Sequence, residues 1–171
     1  MYIAPISTPR LLLRPMTAAD APACFLWCSD PEVNRFMTYP LYTDVAEVHA
    51  WLTRMETDEG ILLCGVERRA DGLLIGSISL SRKPDTTALN LGYNLRRDCW
   101  GQGYATEAAR ALLDAGRAMG LRDYIACHAV ANVGSEKVLR RCGFLFDHDG
   151  EYSKYDGSET FPAKFYTLRI D

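Results

Sequence analysis

The sequence predicts one domain of the α/β (α+β) class, a mixed and mostly antiparallel sheet with helices on both faces. Three observations lead there. A chain of 171 residues, 48% hydrophobic and 24% charged, suits a single globular domain spanning 1–171 with a sizeable core. Three strand-like runs joined by short polar turns occupy its middle. The third opens an alternation of strand, helix, strand, helix and strand, which requires a crossover and hence a parallel pair.

The elements follow in order. "RLLLRPM" (10–16) reads as a short strand stopped by Pro15. Thr17 and Asp20 form an S/T-x-x-D capping pattern that opens a helix through about Trp27. Asp30 caps a second helix start with Pro31 at its first position. Thr43 or Asp44 caps a third, in which Val45, Val48, Trp51, Leu52 and Met55 keep helical spacing up to Gly60. "ILLCGVER" (61–68) and "LLIGSISLS" (73–81) form a hairpin around "RADG", and "TALNLGYNL" (87–95) is the third strand. A helix over 104–119 ends at Gly120, a strand covers 123–130, and a short helix over 134–142 closes at Gly143. Strands over 144–152 and 163–170 finish the chain, joined by a loop rich in Tyr, Ser and Asp. The strand 123–130 is expected parallel to 87–95, because a helix crosses between them.

Composition narrows the function. A net charge of −3 argues against general affinity for nucleic acid or an anionic membrane. No apolar run is long enough to span a bilayer, and the opening "MYIAPISTPRLLLRP" lacks the features of a secretion signal. The cysteines at 24, 28, 64, 99, 127 and 142 form no C-x-x-C pair and no closely spaced Cys/His cluster. That pattern argues against zinc and disulfides; reduced thiols in a cytoplasmic protein are the simpler expectation.

The stretch "CWGQGYATEAARALL" (99–113) places Gly101 and Gly103 just before a strong helix former. The first turn of a helix presents unpaired N–H groups and the positive end of the dipole. Backbone donors of Gln102, Gly103, Tyr104, Ala105 and Thr106 would surround a phosphate or diphosphate there. Gly101, Gly103 and Ala105 supply clearance, and Arg96 and Arg97 lie close in sequence to add charge. A nucleotide P-loop is not matched, and a dinucleotide fingerprint needs Gly where Thr106 stands. The remaining reading is an acyl-coenzyme A loop.

On these residues the chain resembles the GNAT N-acetyltransferases. "GYNLRRDCWGQGYATEAARALL" and "ANVGSEKVLRRCGF" carry the likeness, with "TPRLLLRPMTAADA" and "CSDPEVNRFM" in family order. It is most similar to the branch that acetylates the N-terminal alanine of a ribosomal protein. The family loop Q/R-x-x-G-x-G/A is met by Trp100, Gly103 and Ala105, so its polar first residue has become Trp. The resemblance implies a splayed central parallel strand pair that holds acetyl-CoA as cosubstrate. The pantetheine would lie along the backbone of 91–95, past Tyr93 and Leu95, with Asn132 at its amides. Relatives in this branch are often dimers, so a homodimer is what the resemblance suggests, although no surface in the sequence declares an interface.

The implied reaction is direct attack of a primary amine on the thioester, without an acyl-enzyme. The Leu95 N–H is expected to stabilise the oxyanion, and Ser135 to serve the departing thiolate. The tyrosine that many members place in the following helix is Leu139 here, and the strand glutamate common in the branch is Asn90. His128, Glu67 or an acid of the 144–164 region would have to serve as base; His128 on a core strand is also read as an ordinary buried residue. An α-amine, with a pKa of about 7.7–8.0, is roughly a tenth to a sixth neutral at pH 7. A lysine ε-amine, at about 10.4, is neutral to only about 0.04%. A weak base therefore matches a protein N-terminus or a small amine of low pKa. The alternative is a non-catalytic acyl-CoA sensor or interaction module of the same fold; a dinucleotide-binding oxidoreductase is a more distant third.

Overall fold

The computed structural model describes residues 3–84 and 86–171. Its strands are β1 (Ile6–Ser7), β2 (Leu11–Pro15), β3 (Ile61–Arg68), β4 (Leu73–Lys83), β5 (Thr86–Leu95), β6 (Asp123–Ala129), β7 (Leu145–Ser153) and β8 (Thr160–Arg169). The helices are α1 (Ala21–Cys28), α2 (Pro31–Asn34), α3 (Val45–Thr57), α4 (Tyr104–Ala118) and α5 (Val133–Arg141). Among the described residues, all strands join one sheet in the order β1-β2-β3-β4-β5-β6-β8-β7. Every neighbouring pair is antiparallel except β5 with β6.

The parallel pair is short. Only Leu89 with Tyr124 and Asn90 with Ile125 are in register, after which the strands part. Beyond Asn90, β5 keeps its ladder to β4 as far as Leu95 opposite Gly76. At that end a side chain on Gly76 would collide with Asn94 O and would lie 2.8 Å from Leu95 Cα, so only glycine lets β5 sit this close. Each face of the sheet is covered by its own helices. Leu112, Leu113 and Ala109 of α4 and Leu139 of α5 pack in one core with Leu91 and Leu95. Cys24, Trp27 and Cys28 of α1 pack in the other with Val48 and Leu52 of α3.

Several boundaries differ from the sequence expectation. Residues 6–7 form a short edge strand. The Thr17–Asp20 capping box opens a 3-10 turn, Ala18–Asp20, and α1 begins only at Ala21. The helix opened by Asp30 lasts one turn, because Asn34 O is claimed by Met37 N–H and by Lys154 Nζ. The last strand starts at Thr160, ahead of Pro162. The Val130 N–H donates to Pro162 O, but Pro162 has no N–H to return to Val130, so the β6 ladder closes at this one-bond pair.

Candidate active site

The parting of β5 and β6 leaves a cleft of about 550 Å³. Tyr93, Asn94 and Leu95 line it from β5, Trp100 to Thr106 from the glycine loop (Gln102 excepted), and Ala131 to Ser135 from the start of α5.

The glycine loop is built by backbone geometry. Gly101 and Gly103 have φ of 74° and 82°, a region in which a residue with a Cβ is strained. Gly103 is the N-cap of α4 and receives no side-chain cap. The first intrahelical bond runs from Glu107 N–H to Gly103 O at 3.1 Å. The N–H groups of Gly103, Tyr104, Ala105 and Thr106 therefore have no acceptor within the helix. Thr106 Oγ1 is buried beside them without a hydrogen-bond partner.

Two side chains hold this loop in place. The Trp100 indole N–H donates to Leu95 O at 2.9 Å, tying the loop to the end of β5. Arg10 reaches across from the β1–β2 strap to Gln102 O at 2.9 Å while pairing with Glu107 at 2.6 Å. Burial alone pushes the Glu107 carboxyl up, but bonds from Thr8 and Arg10 outweigh it and leave the group below its ordinary value. Gln102 turns outward, its amide on Asp98 O.

Leu95 faces the cleft with its main chain. Arg96 N–H donates to Ile75 O, so Gly76 and Leu95 form a non-bonded antiparallel pair. Both backbone groups of Leu95 then point away from β4, toward the parted side. Trp100 occupies its carbonyl and leaves its N–H facing the cleft. Across the gap, Asn132 caps α5 by accepting the Ser135 N–H at 3.1 Å. The Tyr93 hydroxyl lies 2.8 Å from Ser135 Oγ and donates to Ser135 O at 3.1 Å. Burial raises the Tyr93 phenol above its ordinary value. It likewise raises the Cys99 thiol, so the cysteine in the cleft wall stays protonated and is no ready nucleophile.

Not all the expected residues converge here. His128 is 3% exposed, with Nδ1 at 2.7 Å from Ala129 O and Nε2 at 3.2 Å from the Tyr166 hydroxyl, and does not line the cleft. Arg96 is paired with Asp98 and Arg97 with Asp30, so neither reaches the lining. Glu67 is bound to Arg14 on β2, and no acid of 144–164 reaches the cleft. The lining cations are instead Arg35 on the far wall and Lys137 and Arg141, one turn apart on α5. Their i,i+4 spacing after Gly134 was the available signal.

The far wall, Glu32 to Met37, was also missed. Glu32 is the only carboxylate lining the cleft among the described residues. Lys154 holds this wall from the β7–β8 loop: its ammonium, nine-tenths buried, donates to Asn34 O, Asn34 Oδ1 and Met37 O at 3.0–3.1 Å. The Tyr152 hydroxyl donates to Phe36 O and the Tyr155 N–H to Thr38 O, both at 2.7 Å.

A mixed sheet whose parallel pair splays beside a glycine-capped helix is the arrangement that the resemblance to GNAT N-acetyltransferases implies. Comparison with known proteins agrees: residues 10–145 match the acetyltransferase (GNAT) domain, and the chain belongs to that family. It is 26% identical over 166 residues to the uncharacterized N-acetyltransferase YnaD of Bacillus subtilis, covering 95% of each protein. It is 30% identical over 126 residues to the uncharacterized N-acetyltransferase p20 of Bacillus licheniformis, a match spanning 64% of each. Among solved structures, a GNAT-family acetyltransferase from Bacillus anthracis superposes with a TM-score of 0.85 at 22% identity, over 97% of this chain and 98% of that one. The acetyltransferase from Salmonella typhimurium that modifies the N-terminal serine of ribosomal protein L7/L12 gives 0.83 at 19%, over 98% and 100%. Both show the same fold.

Proposed function

We propose that this protein transfers the acetyl group of acetyl-CoA to a primary amine, either a protein N-terminal α-amine or a small-molecule amine, by direct attack. The observation that carries this reading is the start of α4. Four N–H groups without helical acceptors lie there beside the parted strands. These donors fit a diphosphate, and Lys137 and Arg141 add positive charge at the same cleft. The cosubstrate supplies the activated acetyl group. Around it, the Leu95 N–H would bond the carbonyl oxygen as charge develops, and Asn132 and Ser135 would face the pantetheine and sulfur.

With His128 sequestered, Glu32, the one carboxylate lining the cleft among the described residues, is the group placed to receive a proton, directly or through water. A cleft so poorly supplied with bases suits an amine that is already partly neutral. The likeness to an enzyme that acetylates a ribosomal-protein N-terminus points the same way. Six free cysteines and net negative charge support a cytoplasmic protein. The test is calorimetry with acetyl-CoA, followed by CoA release over a panel of α-amines, polyamines and lysine side chains. Release dependent on an α-amine is expected. Tight binding without release on any amine would make the protein an acyl-CoA sensor, and faster acetylation of lysine side chains at neutral pH would contradict the acceptor class.

A further inference from the structure

The helix position that carries an acid tyrosine in many family members is here Leu139, 1% exposed in the core. A tyrosine of β5 reaches the first turn of the same helix instead. Tyr93, on β5, spans the parted strands and bonds Ser135 on α5, as described above.

The phenol has one proton and two oxygens to give it to. While it donates to Ser135 O, the short contact to Ser135 Oγ is made by the serine proton pointing at Tyr93. When the phenol turns its proton onto Oγ, the serine proton is released and is free to face the cleft. The serine oxygen itself need not move, because Asn132 holds the Ser135 backbone.

We propose that Tyr93 is a positioning residue for the departing sulfur, setting whether the Ser135 proton faces Tyr93 or the cleft. This rests on the acetyltransferase reading, with the thioester beside Ser135. The step balances as follows. The bond between sulfur and the acetyl carbon breaks as the amine nitrogen bonds that carbon. The departing thiolate accepts a hydrogen bond from Ser135 Oγ, whose oxygen in turn accepts one from Tyr93. The thiolate takes its proton from water, to which the amine has lost one, and both hydroxyls keep theirs. Burial holds the phenol protonated at neutral pH, so it remains a donor to Ser135.

The test is Tyr93→Phe, Ser135→Ala and the double variant, assayed with acetyl-CoA against alanine- and serine-initiated peptides and spermidine. Tyr93→Phe is expected to lower kcat about 10- to 100-fold with the KM and calorimetric Kd for acetyl-CoA within about twofold. The double variant is expected to be no slower than Ser135→Ala alone, because the hydroxyls act as one unit. Wild-type kcat in Tyr93→Phe, multiplying effects in the double variant, or loss of acetyl-CoA binding in Tyr93→Phe would each overturn the role. A wild-type protein that binds acetyl-CoA but releases no CoA on any of the probes would overturn the function, and this role with it.

Discussion

Gly103 concentrates the demands on the loop. Its φ of 82° is accessible to a β-branched residue only at a cost of about 1–3 kcal/mol, and a Cβ there would stand 3.5 Å from Arg10 Nη2, the side chain that holds the loop. Gly103→Val is expected to weaken acetyl-CoA binding at least tenfold by calorimetry while leaving the protein folded. Unchanged affinity would remove the loop from the binding site. This residue was readable from the sequence because a glycine before a helix start has a backbone meaning independent of tertiary structure. The neighbouring arginines were not, since sequence proximity does not say whether Asp98 or Asp30 claims the guanidinium. Trp100 shows the same limit: its identity stood out, but its bond to Leu95 O depends on where β5 ends.

Among the elements, the far wall and the hairpin that clasps it act together. Lys154 is a buried cation held by three neutral oxygens, and removing it takes this donor from Asn34 Oδ1 and Met37 O, at about 1–3 kcal/mol for an unsatisfied buried group, while Asn34 O keeps Met37 N–H. Lys154→Met is expected to lower the thermal midpoint. It is also expected to raise the KM for the acceptor amine at least fivefold, with acetyl-CoA affinity unchanged. Equal effects on both substrates would show that the clasp does not belong to the acceptor side. The sequence pointed to this loop only through its aromatic and acidic composition. Its one decisive residue is a lysine whose partners lie about 120 positions away, a pairing no local pattern reveals.

For the whole molecule, the crossover rule made the parallel pair legible, and the family motifs made its opening legible. The insertion of the last strand between β6 and β7 was not, because no residue pattern encodes neighbour order in a sheet. The strap from β1–β2 to α4 ties the first edge of the sheet to the glycine loop through Glu107, whose folded-state pKa is depressed. Such a group adds stability above the ordinary glutamate value of 4.5 and loses it as pH falls from there through the depressed folded value. Denaturant titrations from pH 7 downward should therefore show stability dropping below about pH 4.5, with a shallower drop in Glu107→Gln. Identical acid profiles for the two proteins would deny the strap that contribution.

The most direct measurement of the central claim is a crystal structure with acetyl-CoA bound. The diphosphate should sit on the N–H groups of Gly103 to Thr106, and the thioester should lie between Leu95 N and Ser135 Oγ. A cosubstrate lodged anywhere else on the protein would contradict the account.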